Sequence, residues 1–140
     1  MQEILKQIEN KNSDYGFKIS GPASLDKIKE LESNTGFKLP EDFIRFYTIC
    51  DGFECHTDIF NFLSIDTILA NKDYGNNWFL FAEYMIYSDF WGLRKNITGD
   101  FEFFNSAHSI PSHALIDFLK AFSQGNIFEK DGISDWEKIG

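Results

Sequence analysis

The stretch around residue 55 carries residue types that bind metal ions. Cys50, Cys55, His56 and Asp58 fall within nine positions. Zinc sites, however, pair their ligands two to four residues apart on turns and need four of them, whereas Cys50 falls on the apolar side of a predicted helix. We therefore interpret both cysteines as free thiols in the core and His56 as a surface residue. No metal and no cofactor are expected.

A second group could supply a nucleophile and a base. His108 and His113 flank Ser109 and Ser112 in the sequence. A serine hydrolase needs a strained serine turn such as Gly-x-Ser-x-Gly and a carboxylate that orients the histidine, and neither is visible. Ser112 instead suits the N-cap of a following helix.

Acidic residues in the middle of the chain offer the groups used in general acid–base catalysis. The four candidates are Glu83, Asp89, Asp100 and Glu102. Nothing in their spacing selects a pair, so we interpret them as the polar half of an alternating strand pattern that faces solvent. Phosphate-binding loops and dinucleotide fingerprints are absent. We therefore expect no catalytic residues and a protein that is not an enzyme.

The charge is acidic and unevenly placed. The net charge is −9, and residues 51–104 contain three basic residues against nine acidic ones. Proteins that bind single-stranded nucleic acid surround their aromatic rings with Lys and Arg, so direct nucleic-acid binding is not expected, nor is binding to an anionic membrane. Such a surface favours a basic protein partner. It also serves the solubility of a cytosolic protein, and the charge alone does not separate these roles.

Length and composition predict one domain spanning residues 1–140. A chain of 140 residues with 43% hydrophobic residues and 16 Phe can bury a core built largely from aromatic rings. The N-terminus has charges where a signal peptide has an apolar segment, and no apolar run reaches the length of a membrane helix. We therefore expect a cytoplasmic protein.

Apolar spacing predicts two helices in the first part of the chain. The second is expected to begin after an N-cap at Ser24 and to end at Gly36. The apolar positions are Ile4, Leu5 and Ile8 in the first helix and Leu25, Ile28 and Leu31 in the second.

Residues 36–52 predict a third helix with well-defined ends. Pro40 suits a first helical turn because it has no amide hydrogen to leave unbonded, and Glu41 and Asp42 suit the positive end of the helix dipole. Gly52 is expected to close the helix in the left-handed conformation. The apolar face at i, i+3, i+4 and i+7 consists of Phe43, Phe46, Tyr47 and Cys50.

The middle of the chain is rich in residues that favour β-strands. Residues 53–63 are predicted to be one extended segment, after which Ser64 caps a short helix. Residues 72–77 are predicted to be a polar turn. Further strands are expected at 78–82, 85–87, 90–93 and 101–104.

A final helix is predicted between Ser112 and Gly125. Its apolar positions are Leu115, Phe118, Leu119 and Phe122. Helices at both ends and strands between them indicate an α+β domain, with helices on one side of an antiparallel sheet.

The order of these features resembles the SUKH superfamily over roughly residues 24–124. In that family a helix runs into Gly-x-x-Leu-Pro-x-x-Phe or Tyr, followed by an aromatic helix that ends near a glycine. The matching residues are Gly36, Leu39, Pro40, Phe43, Phe46 and Gly52. Family members often carry glycines and a short acidic turn in the middle strands, where this chain has Glu83, Tyr84 and the bulky pair Phe90-Trp91.

The resemblance implies a fold and a class of role. The implied fold is α+β, a central antiparallel sheet with helices packed on one side in a single SUKH-like domain. SUKH members include bacterial immunity proteins, which neutralise toxins from neighbouring cells, often nucleases, and fungal cell-wall-assembly regulators. The resemblance carries no catalytic residue over.

We therefore predict a bacterial, non-enzymatic immunity protein that binds a basic toxin domain through an acidic and aromatic surface. Acidic charge speeds the encounter, and exposed rings supply affinity. The predicted contact residues are Asp58, Asp66, Asp73, Glu83, Asp89, Trp78, Tyr84 and Trp91, with Tyr87 and Phe90 as further rings. The alternative is an intracellular protein-interaction or regulatory module of the same fold without a toxin partner.

Overall fold

An antiparallel sheet with helices packed against one face forms the fold, which confirms the predicted α+β class. The computed structural model describes residues 1–12, 16–56, 60–85, 89–105, 109–111 and 114–125. The helices are α1 (Gln2–Asn12), α2 (Leu25–Thr35), α3 (Glu41–Ile49), α4 (Ile65–Ala70) and α5 (Leu115–Gly125). The strands are β1 (Phe17–Ile19), β2 (Phe53–Cys55), β3 (Phe60–Phe62), β4 (Tyr74–Gly75), β5 (Trp78–Tyr84), β6 (Asp89–Lys95), β7 (Phe101–Asn105) and β8 (Ser109–Pro111). No helix in these ranges is long and apolar enough to cross a membrane.

The sheet runs in the order β1-β2-β3-β5-β6-β7-β8, and β4 pairs with β5 beside this path. Two predictions need correction. The segment predicted as one extended run is a hairpin, in which Phe53 of β2 lies opposite Phe62 of β3. Met85, predicted as a strand residue, lies in a turn with φ at 49°. The short strands β1, β4 and β8 were not predicted because three or fewer residues show no period of their own.

Strand β5 contains a β-bulge. Leu80 pairs with Gly92 of β6, but Ala82 pairs with Trp91, so Phe81 is an extra residue on β5. An extra residue shifts the alternation of side chains by one place. Leu80 and Glu83 therefore lie on the same face of the sheet although they are three residues apart.

Helix α2 begins and ends as the sequence predicts. The Ser24 hydroxyl accepts a hydrogen bond from the Lys27 amide at 3.2 Å, and Gly36 closes the helix at φ 85°. Leu25 was expected on the apolar face, but the residue is 63% exposed. The buried stripe consists of Ile28, Leu31 and Thr35, and Leu25 precedes it by one turn at the solvent end of the helix.

Helix α3 begins directly after Pro40, which is its N-cap with an extended ψ of 152° and not a residue of the first turn as predicted. The helix buries its aromatic face, as predicted. Its end differs from the prediction, because the helix stops at Ile49 and Cys50 caps it in an extended conformation. Gly52 does have a positive φ of 91°, yet the reason is contact with β3. A Cβ at Gly52 would overlap the carbonyl oxygen of Phe62, so only glycine permits the two segments to pass this closely.

Aromatic rings join the helices to the sheet. The Phe43 ring of α3 meets the rings of Phe79, Phe81 and Phe103 edge-on, at centroid distances of 5.8, 5.4 and 6.0 Å. On α5, the Phe122 ring lies 4.5 Å from Phe60 of β3. We call the face that these helices cover the inner face of the sheet and the opposite one the outer face.

Candidate protein-binding surface

The outer face is defined by the register of the strands. One row across β2, β3, β5 and β6 places Glu54 opposite Asn61, Asn61 opposite Glu83, and Glu83 opposite Phe90. A parallel row places Leu80 opposite Gly92 and Gly92 opposite Phe104. Side chains in each row project to the same side, so this face carries both acidic and aromatic residues.

Half-buried aromatic residues form the first part of this face. The aromatic patch consists of Trp78, Leu80, Phe90, Arg94 and Phe104, which line a shallow cavity of about 300 Å³. In the described part of the chain its walls come from strands only. Rings with this arrangement present apolar area that a partner can bury.

Neighbouring residues fix the position of the patch. The Arg94 guanidinium lies over the Phe104 ring, 5.3 Å from its centroid, and its Nε donates to the Glu102 carboxylate at 2.5 Å. A Cβ at Gly92 would overlap the Phe104 ring, so this ring rests directly on the backbone of β6. The Trp78 indole lies against Gly75 of β4 in the same way. The outer rings are therefore held in place before any partner binds.

A pocket lined by carboxylates forms the second part of the outer face. We call it the acidic basin; its volume is about 330 Å³. Its polar side chains are Ser20, Asp51, Glu54, Asn61, Ser64, Thr67 and Glu83. Because Glu83 lies opposite Phe90, the basin and the aromatic patch are adjacent.

Glu83 is the unusual residue of the basin. Its side chain was expected on a solvated face, but the residue is only 8% exposed. Its Oε1 accepts a hydrogen bond from the Asn61 side-chain amide at 2.8 Å. Its Oε2 is buried and has no hydrogen-bond donor among the described residues. Burying a carboxylate oxygen without a donor costs free energy, so its position needs an explanation.

The other predicted acidic residues are spread over the surface. Asp66 is exposed on α4 and forms an ion pair with Lys27, whose pKa it raises above the ordinary value. Asp73 and Asp89 are half-buried, and the Asp89 carboxylate accepts from the Phe90 amide at 2.8 Å. Asp58 lies outside the described residues.

The predicted rings divide between the two faces. Trp78 and Phe90 belong to the outer aromatic patch, and Tyr84 is half-buried at the end of β5. Trp91 was predicted as a contact residue, but it is 0% exposed and packs on Phe118 of α5, so it has no ring surface to offer a partner. Tyr87 lies outside the described residues.

Sequence reasoning missed most residues of this surface. They are Leu80, Arg94 and Phe104 of the aromatic patch and Ser20, Asp51, Glu54, Asn61, Ser64 and Thr67 of the acidic basin. Alternation within a strand shows which residues share a face, but it does not show which face the helices cover, and the bulge in β5 breaks the alternation itself.

Those groups considered for catalysis that the structure describes are not brought together. Cys50 and Cys55 are both buried, and burial raises the pKa of the Cys50 thiol to about 12, so this thiol is a poor nucleophile. Glu102 pairs with Arg94, whereas Asp100 accepts from the Thr98 hydroxyl in a turn. Across the described ranges, no three His, Cys, Asp or Glu side chains converge to hold a metal ion. His108, Ser112 and His113 lie outside them.

Comparison with protein families identifies the class. The family model described as the SMI1 / KNR4 family (SUKH-1) matches residues 22–118, which is more than half of the chain. The chain therefore belongs to this family, and the predicted resemblance to the SUKH superfamily is confirmed. A comparison with curated proteins finds no match.

Proposed function

We propose that the protein is a non-enzymatic immunity protein that acts in the bacterial cytoplasm by binding and neutralising a basic toxin domain. One observation carries the proposal: the outer face places half-buried rings directly beside a pocket lined by carboxylates. Membership of the SUKH-1 family supports the class of role.

The charge of the surface supports a basic partner. The basin includes the carboxylates of Asp51, Glu54 and Glu83, and none of the described residues that line it is a lysine or arginine. The chain as a whole carries a net charge of −9. A field of this sign accelerates association with a positively charged protein. A nuclease fits this description because its cleft must attract phosphate groups, so we favour a nuclease toxin.

The aromatic patch supports tight binding rather than encounter alone. Affinity in protein interfaces depends on a few pre-positioned rings and arginines near the centre of the contact. Trp78, Phe90 and Phe104 are held by glycine backbone or by each other, with the Phe90 and Phe104 centroids 6.4 Å apart. Little side-chain freedom is lost when such rings are covered.

The first test is the gene immediately upstream, where an immunity protein predicts a large secreted protein with a toxic C-terminal domain. Cells that express this domain by itself should die, and cells that also express the present chain should survive. In the Phe90→Ala variant, affinity for the domain should fall about tenfold or more, and protection should weaken. Leu25→Ala is the matched control, because Leu25 is an exposed apolar residue on α2 outside the outer face.

The alternative, a regulatory module without a toxin partner, predicts a different result. No neighbouring toxin would be neutralised, and a housekeeping protein of the host would bind in a Phe90-dependent manner.

The role of charge in the encounter is tested separately by varying the salt concentration. If the association rate with the partner does not fall between low and high ionic strength, the acidic surface plays no role in the encounter.

A further inference from the structure

The acidic basin contains a carboxylate that the protein itself does not satisfy. Glu83 is 8% exposed, and its Oε2 finds no donor in the described part of the chain. Asn61 holds the other oxygen at 2.8 Å and so fixes the orientation of the group. An acceptor that is buried, oriented and unpaired is prepared for a donor from outside.

We propose that the acidic basin is a receptor for one guanidinium group, supplied by an arginine side chain of the protein partner, and that Glu83 is the residue that binds it. The proposal rests on the proposed function only for the source of that arginine. The site and its ligand chemistry follow from the basin itself.

The lining of the basin selects a cation. Asp51 and Glu54 add two carboxylates to that of Glu83, and the part of the lining that the structure describes contains no basic residue. Neither Lys27, which pairs with Asp66, nor Lys18, opposite Glu54 on β1, lines the pocket. A cation that enters forms charge-assisted hydrogen bonds, which are stronger than neutral ones.

The geometry favours a guanidinium group over a metal ion or an ammonium group. The described carboxylates do not converge in a set of three that could hold a metal. A guanidinium carries five N–H donors in one plane and is more weakly hydrated than an ammonium, so it can reach several separated acceptors at a smaller desolvation cost. The Phe90 ring, opposite Glu83 on β6, offers a surface on which its plane can stack.

The test uses blocked arginine, N-acetyl-arginine amide, as the probe and isotope-labelled protein observed by NMR. The probe should shift the Asn61 side-chain amide and the Glu83 carboxyl carbon in a saturable manner. The citrulline analogue has the same shape without the charge and should cause no saturable shift. The lysine analogue should bind several-fold more weakly than arginine.

Variants connect the binding to Glu83. Glu83→Gln keeps an oxygen for Asn61 but removes the charge, and the arginine probe should bind about tenfold more weakly. Glu3→Gln removes one charge from an exposed position on α1 and is the matched control, with unchanged binding. Equal binding of arginine and citrulline, equal binding of arginine and lysine, or no saturable shift in the wild-type protein would each overturn the proposal.

The two proposals can fail separately. If the chain protects cells from a toxin but does not bind the arginine probe, the immunity function stands and the guanidinium site is wrong. If the probe binds in a Glu83-dependent manner but no toxin is neutralised, the site stands and the immunity function is wrong.

Discussion

Phenylalanine lies on both faces of the sheet, and consecutive residues of β7 show how different the two surroundings are. Phe103 is fully buried against Phe43 of α3 and Phe81 of β5. Phe104, the next residue, is half-buried over Gly92 with Arg94 above its ring. The residue type is the same, but among the described residues only the inner ring has a second layer against it. The covering helices therefore separate a structural ring from one that is available to a partner.

The largest expected difference between the faces is in stability. Phe43→Ala should lower the free energy of unfolding by about 3–5 kcal/mol, because it leaves a cavity between three rings of the inner face. Phe90→Ala should cost about 1–2 kcal/mol, since its ring is half-buried on the outer face. Urea denaturation measures both values. Equal losses would mean that the outer ring is as essential to the fold as the inner one.

A smaller effect is expected at Gly92, where the outer patch meets the backbone. Gly92→Ala should lower the free energy of unfolding by about 1–3 kcal/mol, because the added methyl group overlaps the Phe104 ring and lies 2.8 Å from the Phe79 carbonyl oxygen. The matched control is Gly21→Ala, because a Cβ there meets no atom within 4 Å. If both variants are equally stable, Phe104 is not held on Gly92.

The buried groups of the inner face should also make the free energy of unfolding depend on pH in alkaline solution. Burial raises the pKa of Cys50 to about 12 and that of Tyr47 well above its ordinary value, so the folded state resists deprotonation of both. Their contribution to stability is complete below the unfolded pKa of about 9 for the thiol, and is lost as pH rises toward the folded pKa. Each group that deprotonates only on unfolding lowers the unfolding free energy by up to about 1.4 kcal/mol per pH unit.

Cys50→Ala isolates the thiol. Between pH 9 and pH 10.5 the free energy of unfolding of this variant should decrease less steeply than that of the wild type. Denaturation in urea at several pH values measures the slope. Parallel curves for the two proteins would show that the thiol of the folded protein is not shielded.

The smallest effect is expected from the ion pair beside the aromatic patch. Arg94 and Glu102 are partly exposed, so Glu102→Gln should change the free energy of unfolding by about 0.2–1 kcal/mol, and less in high salt. A double-mutant cycle with Arg94→Met measures the coupling between them. A coupling much above this range would give the outer face a structural role that we do not expect.

The helices could be predicted from the sequence, whereas the assignment of strand residues to faces could not. Phe43, Phe46 and Tyr47 recur at helical spacing, and burial on α3 follows from that pattern alone. Phe90 and Trp91 are adjacent aromatic residues on β6, and nothing local shows which one the helices cover. Trp91 is interior because α5 lies over it, and that contact joins positions distant in the chain.

The acidic basin shows a second limit of sequence reasoning. An acidic residue in a strand is usually solvated, and Glu83 follows four buried residues of β5 without any mark of its own. Its burial depends on the pairing with Asn61 from another strand. The family motif around Pro40, by contrast, is local, and it identified the class of the protein correctly.

The extra residue in β5 determines which face of the sheet each later side chain of that strand occupies. Leu80, before Phe81, and Glu83, after it, both lie on the outer face. With strict alternation along the strand, the Glu83 carboxylate would instead point toward Phe118 and its neighbours on the inner face. If the bulge were lost with the sequence unchanged, so that Phe81 paired regularly with β6, the Glu83 carboxylate would turn into the apolar core. Deletion of Phe81, by contrast, would restore regular alternation and leave Glu83 on the outer face. The outward carboxylate and the apolar inner face of β5 thus both depend on one extra residue in the strand.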